Sequence, residues 1–362
     1  MPDGTVRKLD ASGDHFAVGH ALGAATAAEI RERSFATAEF RALDERWQGS
    51  EYLGRLEAAA RAAYPNFVRE IEGMAAGAEL DFQSLFLWNC RGDLRFPADA
   101  SAEVRAQAAE GCTTVMIAAA GEGPAVIAHN EDGALELLGH CFWVSVAPDD
   151  GPAFESFMYP GMLPGHTLGL NDAGIVQTIN NVRVHDLQPG IPRHVICRAI
   201  LAANDLDEAL GILKRPDRAS GFHHNLGEAR SGRLVSVEAP ASGCHVTAVA
   251  GSSAHANHLI ADDFSGLAQE ITDSSRDRQR RADELVQAAP PASAKDAEAI
   301  LFERETPIYR ANDKGDDYSQ TLTTGIFELY PDRVDWSLLA GPGAGGALTG
   351  SLGVERAANI GA

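Results

Sequence analysis

At residue 112 the chain changes its periodicity, and that change limits the folds open to it. Upstream, Leu53, Leu56, Ala60, Tyr64, Phe67, Ile71 and Met74 recur at intervals of three or four, which predicts one long amphipathic helix. Gly19 to Trp47 is rich in Ala, Glu, Arg and Leu, with Ile30, Phe35, Phe40 and Leu43 near helical spacing. Asp81, ahead of Phe82, Leu85 and Leu87, reads as the cap of a shorter helix. The first hundred residues therefore read as helical, followed by a polar, alanine-rich connector over Ala98–Glu110.

Downstream the apolar runs become short and β-branched: Thr113–Ala118, Ala125–His129, Cys141–Ala147 and Ala153–Met158. His166–Leu170 and Gly174–Ile179 flank the turn signal Asn171-Asp172-Ala173-Gly174 and predict a hairpin. Pro192 and Asp205 open helices that reach Leu201 and Leu213. Four strands follow (Phe222–Glu228, Leu234–Glu238, His245–Ala250, Ala254–Asn257), then helices at Ser274–Gln287 and Ala294–Phe302. Strands at Gln320–Leu329 and Arg333–Leu338 precede a glycine-rich tail. Blocks of strands and helices, rather than strict alternation, predict an α+β protein with antiparallel sheets covered by helices. The expected organisation is a helical segment 1–111 and a strand-rich segment 112–362 in one globular unit.

A formal charge of -21 excludes a nucleic-acid partner, because that acidity repels phosphate, and it disfavours anionic membranes. The one basic run, Arg276 to Arg281, reads as a solvated helix face. No stretch approaches the ~20 apolar residues that span a bilayer, and the start lacks a signal-peptide pattern. Five cysteines without paired spacing suit a reducing compartment, so a cytoplasmic location is expected.

The switch itself is Glu110-Gly111-Cys112-Thr113-Thr114. A thiol is a strong nucleophile only as thiolate and needs a base. Cutting the bond before Cys112 would supply one, since a free α-amine titrates at about 7.7–8.0. Gly111 suits that cleavage: without a Cβ its carbonyl is approachable. Alone, these five residues read first as a buried core cysteine opening a strand. Two other sites add to them. His129-Asn130-Glu131-Asp132-Gly133 reads as a polar turn that returns Asp132 towards Cys112, and Asn257, after His255, offers an amide donor for an oxyanion.

Cys112-Thr113-Thr114, Asn130-x-Asp132, Gly169-Leu170-Asn171-x-x-Gly174 and His255-x-Asn257-His258, with Gly19 to Gly23, Asn225 and Glu238, occur in the order of a known family. The chain resembles the acyl-coenzyme A:6-aminopenicillanic acid acyltransferases, the C45 peptidase-like N-terminal-nucleophile (Ntn) hydrolases. That resemblance implies a four-layer αββα sandwich and self-cleavage between Gly111 and Cys112. It implies Cys112 as nucleophile, Asp132 as the acidic residue that aids processing, and Asn257 as oxyanion donor. The family turn often carries an aromatic after the aspartate, where this chain has Gly133, which bears on the substrate pocket.

Thr113, Gly133, His223, His224 and His255 are candidate substrate-binding residues. A metal at His255-x-x-His258 would need a third ligand, and none is predicted. No cofactor is expected: Gly341 to Gly346 lies too near the end for a dinucleotide-binding unit. Arg91-Gly92-Asp93 reads as a helix end, and Arg183, Arg193 and Arg276 as surface or ion-pair residues, any of which could hold a substrate carboxylate. The expected activity is hydrolysis of a small N-acylated amine or amino acid through a thioester, with acyl transfer to an amine as the alternative. An uncleaved, non-catalytic ligand-binding relative is the rival of another class. The 1–111 fragment is expected to stay bound after cleavage, and a homo-oligomer is open.

Overall fold

A computed structural model describes residues 6–95, 111–305, 308–311, 319–342 and 347–355. The expected connector over 98–110 and part of the glycine run after Gly341 lie outside the described residues.

Two sheets make the middle of the molecule. The larger is built from β1 (Arg7–Gly13), β4 (Phe142–Pro148), β5 (Phe154–Met158), β6 (Leu168–Asn171), β7 (Ile175–Asn181), β8 (Phe222–Glu228), β9 (Arg233–Ala239) and β10 (His245–Ala248), in that spatial order. The smaller runs β11 (Ser252–His255), β2 (Gly111–Ile117), β3 (Ala125–Ala134), β12 (Ser319–Tyr330), β13 (Arg333–Leu339) and β14 (Leu348–Gly353). All named neighbours are antiparallel except β1 and β4, which are parallel. The sheets meet through Trp143 and Trp336, whose rings lie 4.4 Å apart, and through a polar contact of Thr114 with Asn225.

Helices cover both outer faces. On the side of the larger sheet are α1 (His15–Glu29), α2 (Ala38–Trp47), α3 (Glu51–Ala63), α4 (Pro65–Ala78), α5 (Phe82–Asn89), α6 (Arg193–Ile200) and α7 (Leu206–Leu213): α1 and α7 touch its strands, α4 packs on α1, α3 and α5 on α4, α2 on α5, and α6 on α4 and α7. On the smaller lie α8 (Asp273–Ala288) and α9 (Ala294–Leu301), whose Ala282, Ala297, Ile300 and Leu301 pack on Val115, Ile117, Val126 and Ala128. The architecture is therefore the expected α+β layered sandwich. Side-chain caps stand where the sequence placed them: Asp81 accepts from the Ser84 amide and Asp205 from the Glu208 amide.

Four expectations need correction. The long helix through Leu53 and Met74 is two helices, α3 and α4. Tyr64 leaves helical geometry (φ -139°, ψ 64°) because it precedes Pro65, which opens α4 where no amide hydrogen is needed. The first hundred residues are not all helical: β1 joins the larger sheet, half-exposed at its edge, by pairing with a strand more than a hundred residues away that no local pattern announces. The glycine-rich tail contains β14. Finally, His129 to Gly133 is no turn: β3 runs unbroken to Ala134, fully buried.

Candidate active site

Antiparallel pairing of β2 and β3 sets Gly111 opposite Asp132 and Cys112 opposite Glu131. Because side chains alternate along a strand, Cys112, Thr114, His129 and Glu131 share one face, while Thr113, Asn130 and Asp132 share the other. The strand survives its own polarity because its polar side chains have partners. His129 bridges Glu131 (3.1 Å) and Thr114 (2.8 Å), Asn130 donates to the Leu301 carbonyl (2.7 Å), and Thr321 donates to Asp132 Oδ1 (2.6 Å).

Three groups converge on the Gly111–Cys112 bond from outside. A Cβ on Gly111 would lie 2.9 Å from Arg278 Nη2, 3.1 Å from Asp132 Oδ2 and 3.4 Å from Asn257 Oδ1. The Cys112 amide donates to Asn257 Oδ1 (2.8 Å), and Asn257 Nδ2 donates to the Asn181 carbonyl (3.0 Å). Arg278, on α8, donates to the Cys112 carbonyl (2.5 Å), to Thr113 Oγ1 (2.9 Å) and to Asn257 Oδ1 (2.6 Å). Among the described residues, Asp132 Oδ2 is buried without a hydrogen-bond partner beside this bond.

On the inner side, the thiol of Cys112 donates to Glu131 Oε2 (3.5 Å), and Tyr159 donates to Glu131 Oε1. Burial, followed by the Glu131 and Asp132 carboxylates, raises the thiol pKa well above its ordinary value; the Asn181 backbone and Arg278 pull the other way. Burial pushes Glu131 up to about 8 and holds His129, down at about 3, neutral. Asp132 is raised by burial against the pull of Arg278 and Arg310. A narrow cleft opens over the sulfur, lined by Arg91, Glu131, His166, Arg193, His194 and Phe222.

Of the residues expected from sequence, the structure brings Gly111, Cys112, Asp132 and Asn257 together. Thr113 touches the site from its far side, through Arg278. Gly133 lies against Tyr159, where a Cβ would be 2.6 Å from the phenol oxygen, so Tyr159 occupies the space an aromatic there would need. His223 and His255 stack on each other 3.3 Å apart, and His255 is bound to Glu238 (2.9 Å), beside a second cleft. His224 packs by Phe222, and His258 turns to Ser275, so the two histidines of His255-x-x-His258 diverge. None of Thr113, Gly133, His223, His224 and His255 lines the cleft over Cys112.

Sequence reasoning missed Arg278, Glu131 and the cleft residues other than Arg193, which it offered as one possible holder of a substrate carboxylate. Arg193, expected at the surface, is buried with its guanidinium 3.8 Å over the Phe222 ring and bonded to Asn181 Oδ1 (2.9 Å). The Arg91–Asp93 turn does end a helix. It also places Arg91 in the cleft and lets Asp93 accept from the Arg193 amide at the start of α6. Arg276 is exposed and paired with Asp273.

A glycine–cysteine junction held by Asp, Asn and Arg invites comparison with known proteins. The sequence model of the family described as acyl-coenzyme A:6-aminopenicillanic acid acyl-transferase matches residues 119–341. The chain belongs to this family. It is 28% identical over 313 residues to a β-alanyl-dopamine/carcinine hydrolase of Drosophila melanogaster, covering 78% of each chain. It is also 25% identical over 323 residues to the 40 kDa form of acyl-coenzyme A:6-aminopenicillanic-acid-acyltransferase of Emericella nidulans, covering 86% of each. The protein is thus an enzyme of the amide-cleaving or acyl-transferring kind. Among the described residues, no helix is long and apolar enough to cross a membrane.

Proposed function

We propose that this enzyme is a self-processing amidohydrolase whose nucleophile is the thiol of Cys112, made N-terminal by cleavage after Gly111. The observation that carries the reading is the convergence of Arg278, Asp132 and Asn257 on that bond. In processing, the Cys112 sulfur attacks the Gly111 carbonyl and passes its proton to Glu131, 3.5 Å away, in that carboxyl's ionised form, so the step quickens as pH rises towards about 8. The carbon–nitrogen bond breaks, the nitrogen takes up a proton and becomes the α-amine, and Gly111 is held as a thioester that water hydrolyses. Asp132 Oδ2, buried and without a hydrogen-bond partner among the described residues, is the group to receive the new ammonium.

In turnover the α-amine replaces Glu131 as the base, because it lies on the same residue as the sulfur. The thiolate attacks the substrate acyl carbon. Asn257 Nδ2, turning from the Asn181 carbonyl, and the Asn181 amide hold the oxyanion; the amine leaves with the proton, and water releases the acid. Arg278 steadies the Cys112 backbone throughout. The substrate class is a small N-acylated amine or amino acid, as the relative named for β-alanyl-dopamine and carcinine suggests. The acidic surface favours a cationic leaving amine.

Intact mass of the purified chain tests this. Fragments of 111 and 251 residues (362 − 111 = 251) are expected, with a single chain for Cys112→Ala. An uncleaved wild-type chain that hydrolyses N-acyl amides would overturn the processing step. Cleavage without activity on a broad N-acyl amide panel would overturn the hydrolase reading. The acyltransferase relative supports a second outcome, in which an added amine captures the acyl group faster than water does.

A further inference from the structure

Among the described residues one group of side chains has the make-up of a metal site, and it includes the nucleophile. Cys112 Sγ, His129 Nε2 and a Glu131 oxygen all lie within 4.8 Å of one another, buried, on neighbouring strands. We propose that Cys112, His129 and Glu131 bind a divalent cation of the zinc type, which reversibly silences the nucleophile.

Sulfur, imidazole nitrogen and carboxylate oxygen are the donors that Zn²⁺ takes, three from protein with a fourth position open. The spacing fits as well. With Zn–S of about 2.3 Å and Zn–N and Zn–O of about 2.1 Å, a tetrahedral site has S···O and N···O edges of about 3.6 and 3.4 Å. The corresponding separations here are 3.5 Å for Cys112 to Glu131 and 3.1 Å for Glu131 to His129. Little rearrangement is needed, because every ligand is oriented from behind. Thr114 holds His129 Nδ1 at 2.8 Å and is itself fixed by Asn180 and Asn225, while Tyr159 holds the second oxygen of Glu131. Such outer contacts set the ring and carboxylate orientation in metal sites. Cys112 and Glu131 both line the cleft, which gives the ion its entry and leaves the fourth position to water. On binding, the thiol proton and the proton that burial keeps on Glu131 both leave to solvent, and the resulting thiolate and carboxylate offset the two charges of the ion.

The consequence rests on Cys112 being the nucleophile; the binding does not, and the two can fail separately. The full chain, stripped of metal, is titrated with Co²⁺ and followed by absorbance. One equivalent with a thiolate-to-cobalt charge-transfer band and tetrahedral d–d bands, displaced by Zn²⁺, is expected. Cys112→Ala should lose the charge-transfer band, and His129→Gln and Glu131→Gln should each weaken binding at least tenfold. Two variants guard against one failing to fold, and they separate this site from chelation by the amine and thiol of a cleaved Cys112 alone. Zn²⁺ should also protect Cys112 from iodoacetamide, read by intact mass without any substrate. Cobalt binding without the thiolate band, or unchanged affinity in both His129→Gln and Glu131→Gln, would overturn the proposal.

Discussion

Arg278 is two per cent exposed on a helix whose sequence reads as solvent-facing, and its guanidinium touches the Cys112 carbonyl, Thr113 and Asn257 at once. Three bonds from one planar fork are something lysine cannot copy. Arg278→Gln is expected to slow self-cleavage by about 100-fold, the usual loss on removing one such positioned donor, with Arg278→Lys only partly restoring it. Asn257→Ala should lower kcat on the same order, roughly 10²–10³, because the α-amine loses its acceptor and the oxyanion a donor. Timed gel analysis of newly made chain and steady-state rates check both, with thermal melts to separate misfolding from lost chemistry. Arg278 escaped the sequence because the buried face of α8 is Ser275, Arg278, Gln279 and Ala282. The spacing is helical, but a stripe of polar and small residues carries no apolar signal. Glu131 escaped for a related reason: beside Asp132 it reads as turn polarity, and only its neighbour across the ladder, Cys112, gives it a chemical role.

Helices α1 and α4 pack backbone to backbone. Cβ atoms on Gly19 and Gly23 would meet the Glu70 and Met74 carbonyl oxygens at 1.9 and 2.1 Å, and on Gly73 and Gly77 those of Phe16 and His20 at 2.1 and 2.0 Å. No rotamer can relieve a clash with a helix backbone, so the helices must separate. Gly73→Ala is expected to destabilise by about 3 kcal/mol, the upper part of the overpacking range. Gly54→Ala, in α3 with nothing within 4 Å of the new methyl, should instead be neutral or stabilise by up to about 1 kcal/mol. Denaturant melts of the two variants decide it. The sequence shows two Gly-x-x-x-Gly pairs here, yet a single chain does not say that they face each other. The same limit hid β1, whose partner in the sheet is distant. The hairpin of β6 and β7 was legible because its turn residues and both strands are local.

Across the whole molecule, segment 1–111 is bound into segment 112–362 by contacts that cutting one bond does not touch. β1 adds to the larger sheet, Glu70 and Arg198 form a buried ion pair (3.0 Å), and Ser220 donates to Asp93 (2.5 Å). Both fragments are therefore expected to co-elute in size exclusion after cleavage and to part only in denaturant. Stability should also depend on pH in a defined way. Burial holds His129, His166 and His224 at about 3, far below their ordinary 6.5. Their contribution is complete above pH 6.5 and is lost as pH falls towards 3. Glu131, raised by burial to about 8, contributes fully below its ordinary 4.5, and that contribution is lost as pH rises through 8. Tm should rise from pH 4.5 to 6.5, where these histidines, with His194, His223 and His258 lowered in the same sense, outweigh the raised carboxyls of Glu131 and Asp93, and fall from 6.5 to 8. In Glu131→Gln the fall above 6.5 should flatten; melts across that range read it.

The sequence by itself determined the layered α+β class, most strands and caps, and the few residues whose order along the chain marks the family. It could do so because periodicity, turn chemistry and short motifs are properties of neighbouring residues. Only the tertiary structure decided that β3 runs through its polar stretch, that Arg278 is buried, and that Glu131 and His129 stand beside the sulfur. Those facts depend on which polar groups find partners across the sheets, and pairing between distant segments exists only once the chain has folded.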